Sequence, residues 1–101
     1  MWVRVAAEDH VPPGRGRVLQ AGERAVAVFH VEGRHYALDN RCPHRDGPIG
    51  EGPIKGFQVL CPWHQWPFDM RSGACGLNPD VRVATYPVKQ EGGGLWVELP
   101  D

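Results

Sequence analysis

The sequence has few cysteines, little charge imbalance and no long apolar runs, and each shortage excludes something. Three cysteines cannot form the even disulfide framework that staples small secreted domains, so the thiols read as intracellular and available for other work. Eleven lysines and arginines stand against twelve aspartates and glutamates, a net charge of −1. That balance leaves no basic footprint for nucleic acid. No segment approaches the roughly 18 apolar residues of a membrane helix, and the first ten residues lack the apolar core of a signal peptide. Helical periodicity is missing too, because glycine or proline interrupts every amphipathic window of useful length. The expectation is a soluble cytoplasmic protein with little or no helix.

What is present is turn chemistry and alternation. There are 13 glycines and 10 prolines, a high share that still falls below the roughly 25–30 % at which chains stay disordered. With 42 % hydrophobic residues over 101 positions, the chain can form one domain, residues 1–101, around a small core. A domain of this size buries only about 60–65 % of its unfolded surface, so a bound cofactor would add useful stability. Alternation predicts strands over Trp2–Val5, Arg17–Gln20, Ala25–Val31, Arg34–Asp39 and Phe57–Leu60. Val26 and Val28 share one face, as do Tyr36 and Leu38. The Glu32-Gly33 pair reads as a tight turn. A last hairpin is predicted from Val83–Lys89 and Leu95–Leu99 around Glu91-Gly92-Gly93-Gly94. Short strands at close spacing point to an all-β sandwich or barrel.

Between residues 40 and 69 the composition changes. Two loops, Asn40–Pro48 and Cys61–Pro67, each carry one cysteine and one histidine, in the pattern Cys-x-His, sixteen intervening residues, then Cys-x-x-His. Cys42, His44, Cys61 and His64 are therefore a candidate metal set. A structural zinc accepts two cysteines and two histidines, but zinc knuckles usually pair like with like at Cys-x₂₋₄-Cys and His-x₃₋₅-His spacing. The mixed loops here suit a dinuclear centre, with both cysteines on one iron and both histidines on the other.

Cys42-Pro43-His44 with Cys61-Pro62-Trp63-His64 resembles the Rieske [2Fe–2S] signature. The flanks agree: Gly47-Pro48-Ile49-Gly50-Glu51-Gly52 follows the first loop, and Trp66-Pro67-Phe68-Asp69 with Ser72-Gly73 follows the second. In length the chain is similar to the free-standing Rieske ferredoxins of ring-hydroxylating oxygenases and to the small subunit of assimilatory nitrite reductases. The resemblance implies an all-β, sandwich-like base with a two-loop cluster-binding subdomain at about 40–69. It implies one [2Fe–2S] cluster per chain, held by Cys42, His44, Cys61 and His64. The histidines would face outward at the tip. The function implied is one-electron transfer from a reductase to a terminal oxygenase or similar enzyme. The alternative is a fixed relay beside the large subunit of nitrite reductase. Neither role makes the chain an enzyme by itself, and neither involves nucleic acid or membrane; a monomer is expected.

Two neutral imidazoles in place of two thiolates leave the oxidised centre formally uncharged, which raises its potential into roughly the −150 to +300 mV range. In the family's high-potential branch each loop has an additional cysteine, and a serine and a tyrosine after the second histidine donate hydrogen bonds to the cluster. By motif alignment Trp63 takes the second-loop cysteine position, and Trp66 and Phe68 take those of the serine and tyrosine. Fewer donors imply a midpoint near the low end, about −150 mV. Gln65 stands where the family usually has glycine, which leaves two readings: a different turn, or a polar group beside the site. Cys75 reads as a small packed or partly exposed thiol, and His10, His30 and His35 as strand or surface histidines. Trp63 and Trp66 either shield the site or join Pro43 and Pro48 in an apolar docking patch.

Overall fold

The computed structural model describes residues 1–43, 47–63, 65–78 and 80–100. Ten strands and one short 3₁₀ turn form three antiparallel sheets among them. In chain order the strands are β1 (Trp2–Ala7), β2 (Gly16–Ala21), β3 (Arg24–Val31), β4 (Arg34–Asp39), β5 (Ile54–Lys55), β6 (Gln58–Leu60), β7 (Pro67–Asp69), β8 (Thr85–Tyr86), β9 (Val88–Glu91) and β10 (Gly94–Glu98). The 3₁₀ turn is Ile49–Glu51. No helix among the described residues is long and apolar enough to cross a membrane.

The middle sheet, ordered β2-β3-β4-β8, is covered on both faces. The alternation in β3 divides its side chains between two cores. Val26 and Val28 pack with Leu19, Ala37, Leu95 and Val97 beneath the β1-β10-β9 sheet. Ala27 and Phe29 pack with Leu38, Ile49, Val59 and Phe68 beneath the β5-β6-β7 sheet. A strand buried on both sides has to be apolar at successive positions, which explains the valine-rich run in β3. The result is a sandwich of sheets whose central layer carries both cores.

Turn chemistry fixes the register. Glu32 (φ 52°) and Gly33 (φ 78°) both occupy the left-handed region between the paired residues Val31 and Arg34, the backbone that a two-residue hairpin with right-handed twist requires. Gly92 and Gly93 do the same between Glu91 and Gly94. The extended piece expected over Val83–Lys89 is split. Thr85–Tyr86 pairs with β4 in the middle sheet, whereas Val88–Glu91 pairs with β10 in another. Pro87, with no N–H to donate, stands where the chain changes sheets. The short strands β5 and β7 complete a sheet of which sequence alternation reveals only β6.

Across β3 and β4, His30 and His35 stack with ring centroids 4.2 Å apart. The Nδ1 of His30 lies 2.9 Å from the Val11 carbonyl and donates to it, which sets the tautomer of the neutral ring. The Nε2 of His35 is buried with no hydrogen-bond partner. Burial, and then the adjacent His30, holds the His35 imidazole below its usual pKa. The unfolded chain therefore takes up a proton on this ring at a higher pH than the folded one. Stability contributed by the neutral ring is present above the unfolded value of about 6.5 and is lost as pH falls from there towards the lowered folded value. Denaturant midpoints should thus drop as pH falls below about 6.5, and should drop less in His35→Leu. Parallel curves for the two proteins would contradict this assignment.

Candidate metal centre

The first loop leaves β4 at Asp39 and is braced by Asn40. The Asn40 backbone carbonyl accepts from the Ile49 amide at 2.9 Å, and its Oδ1 accepts from the Gly50 amide at 2.8 Å. A bridge between Arg41 and Pro48 closes the loop above that brace, and the Cys42 amide donates to the Gly47 carbonyl at 2.9 Å. The second loop is the turn of the β6–β7 hairpin, above the Leu60–Pro67 pair. There the Cys61 amide donates to the Trp66 carbonyl, and the Gln65 amide donates to the Cys61 carbonyl, both at 2.9 Å. Each loop is thus closed on itself by hydrogen bonds that begin at its cysteine.

These loops bring Cys42 and Cys61 together. Both thiols are fully buried in the same core as Ile49, Val59 and Phe68, and neither is in a disulfide. They lie within hydrogen-bonding reach of each other. Burial pushes the Cys61 thiol up to about 11; a hydrogen bond from the Trp63 backbone opposes this rise, and the Cys42 neighbour adds to it. A Cβ placed on Gly47 would fall 2.7 Å from the Cys61 sulfur and 3.2 Å from Trp63 Cγ. The first loop can therefore lie against that sulfur only because residue 47 has no side chain. Two adjacent sulfurs sealed from water, with backbone packed against them, fit a thiophilic metal that takes thiolates. His44 and His64 lie outside the described residues, so only the sulfur half of the predicted ligand set is described.

The surroundings of the thiols divide into rim and floor. Trp63 is 51 % exposed, whereas Trp66 packs against the core and Phe68 is fully buried. Phe68, at the position where the high-potential branch has tyrosine, offers no hydroxyl. Gln65 adopts φ 57°, the left-handed conformation that glycine would occupy without strain. Cys75 is buried, in a bridge opposite Phe68. His30 lies on the β3 face of Val26 and Val28, away from the two thiols. Sequence reasoning missed Asn40 and Gly47 as site-forming residues; both stood inside the loop, but nothing in the composition distinguished a brace from an ordinary turn residue.

A family model described as the Rieske [2Fe–2S] domain matches residues 1–87. The chain belongs to this family. Among its curated relatives is the ferredoxin component of the 2,4-dinitrotoluene dioxygenase system of Burkholderia sp. (strain RASC), 34 % identical over 99 residues, with 97 % of this chain and 95 % of the relative covered. Among solved structures, the ferredoxin of carbazole 1,9a-dioxygenase from Nocardioides aromaticivorans IC177 superposes with a TM-score of 0.88 at 29 % identity, covering 96 % of each chain. A protein described as the NADH-dependent nitrite reductase small subunit of Mycobacterium tuberculosis superposes with a TM-score of 0.87 at 27 % identity, covering 96 % of this chain and 93 % of that one. The Rieske fold therefore extends across both cores of the molecule.

The close approach at residue 47 gives a direct test. Gly47→Ala places a methyl group against the Cys61 sulfur, which should cost about 1–3 kcal/mol of stability and lower the iron retained on purification. Wild-type iron content together with a wild-type thermal midpoint would contradict the packing described.

Proposed function

We propose that the chain is a one-electron carrier in which Cys42 and Cys61 hold one iron of a [2Fe–2S] cluster and His44 and His64 hold the other, one cluster per chain. The observation that carries the reading is the convergence of two buried thiols from two separately closed loops, beneath a half-exposed tryptophan. When bound, the cluster supplies a one-electron iron couple at neutral pH. The chain's own residues do the rest. Cys42 and Cys61 anchor it from the buried side. The Asn40 brace and the β6–β7 hairpin hold the two loops in register. The half-exposed Trp63 offers an apolar rim from which a partner can exclude water. The encounter is small in area and short-lived, as suits a shuttle.

The partners on this reading are a reductase that donates one electron and a terminal oxygenase or similar enzyme that accepts it. The whole of residues 1–101 acts as a single Rieske domain, monomeric and cytoplasmic. It performs no substrate chemistry of its own. The similarity to a nitrite reductase small subunit supports a second reading, a fixed relay within such an enzyme. Co-purification with a sirohaem or flavin subunit at constant ratio distinguishes that case from a free shuttle.

The ligand assignment predicts the redox behaviour. With no hydroxyl at Phe68, holo-protein should titrate near the low end of the Rieske range, about −150 mV. Replacing a neutral imidazole by thiolate adds negative charge, so His64→Cys should lower the midpoint or lose the cluster. A wild-type midpoint well above zero, or an unchanged visible spectrum and midpoint in His64→Cys, would contradict the proposal.

A further inference from the structure

The outer edge of β2 is the longest sheet edge of unbroken register among the described residues. At the far side of the middle sheet, β8 has only two residues and is followed by Pro87. In the small sheet β5 has two residues and β7 three. The six-residue β1 is interrupted by an irregularity between Arg4 and Ala6. By contrast, β2 runs for six residues, Gly16–Ala21, with an unbroken register to β3 and with no proline or lysine. Natural sheets usually blunt such an edge.

The hydrogen-bond phase of β2 determines which groups face outward. The His30 amide donates to the Arg15 carbonyl at 3.0 Å, which places Arg15 opposite His30 in a hydrogen-bonding position. In an antiparallel ladder such positions recur every second residue, so Arg17, Leu19 and Ala21 bond inward to β3. Gly16, Val18 and Gln20 then direct their N–H and C=O groups away from β3. Among the described residues, no backbone partner meets these groups at Gly16 and Val18. Both residues line a groove of about 740 Å³ whose opposite wall is Gly50–Ile54. Val18 is 40 % exposed there, an apolar side chain at the centre of the open edge.

Charge indicates the occupant. Arg15 and Arg17 line the groove, exposed and without an ion pair among the described residues, against the single carboxylate of Glu51. A second copy of this chain pairing β2 with β2 would bring its own Arg15 and Arg17 against these. We propose that the β2 edge is a docking site for an extended, acidic segment of a protein partner, which adds a strand beside Gly16 and Val18 and places carboxylates near Arg15 and Arg17. The mode is strand addition, in which backbone bonds give the affinity and flanking side chains the selectivity. The groove lies beside Asn40 and Gly50, which brace the first loop, so a segment seated there would touch the base of the cluster-binding region. The proposal holds whether or not the ligand assignment does.

The test uses holo-protein and a capped peptide alternating glutamate with valine, with its glutamine counterpart as control. Saturable binding of the acidic peptide is expected, with slowed amide exchange at Gly16 and Val18 and with affinity falling as salt rises. Val18→Pro removes one outward donor and spares the β2–β3 ladder; it should weaken binding by about fivefold or more. Val18→Thr keeps that donor and should bind within about twofold of wild type. Arg15→Glu with Arg17→Glu should abolish binding. Absence of saturable binding, equal affinity for the uncharged peptide, or wild-type affinity in folded Val18→Pro would each overturn the proposal.

Discussion

Two sulfurs buried side by side set the terms for the rest of this molecule. Cys42 and Cys61 come from different loops, yet both lie inside the apolar core with no water-exposed surface. In that setting burial favours the neutral thiol, as the raised value at Cys61 expresses. Only a strongly thiophilic cation makes thiolates favourable there, and its binding releases their protons. Each loop must therefore be held so that its sulfur arrives without a flexible search. The closures at Cys42–Gly47 and Cys61–Trp66 do this within the loops, and Asn40 does it between the first loop and the 3₁₀ turn.

The sheets supply the rigid base. Because β3 is buried on both faces, the core beneath the loops and the core beneath the β1-β10-β9 sheet share one strand. Phe29 and Leu38 connect β3 and β4 to Val59 and Phe68 on the hairpin that presents Cys61. Behind that hairpin, Arg71 makes bidentate contact with Asp69 at 2.8 and 3.2 Å and lies 4.3 Å over the Phe57 ring. The guanidinium holds the Asp69 carboxyl below its ordinary range. The pair is exposed enough that its stabilisation is modest.

Much of this was legible in the residues. Alternation located β4 and β6 because each has a face that must be apolar, the valine-rich run located β3 because both its faces are buried, and paired turn residues located two hairpins because their backbone needs positive φ. The cysteines of the two mixed loops were legible as partners because their spacing is wrong for a zinc knuckle. Other features were not legible, for physical reasons. β5 and β7 are too short to show a period, and the transfer of the chain between sheets at Pro87 depends on tertiary pairing. The steric need for glycine at residue 47 arises from a sulfur fourteen positions away in sequence. The left-handed backbone of Gln65 contradicts its residue type and follows from the turn around it.

The central proposal is that Cys42 and Cys61 hold one iron of a single cluster and His44 and His64 hold the other. It is tested most directly by pulsed EPR on the dithionite-reduced holo-protein, prepared unlabelled and with ¹⁵N-histidine. The account predicts a paramagnetic reduced cluster with strong couplings from two histidine nitrogens that change on labelling. A signal with no labelled-nitrogen coupling, or purified protein that holds zinc without iron or sulfide, would contradict it.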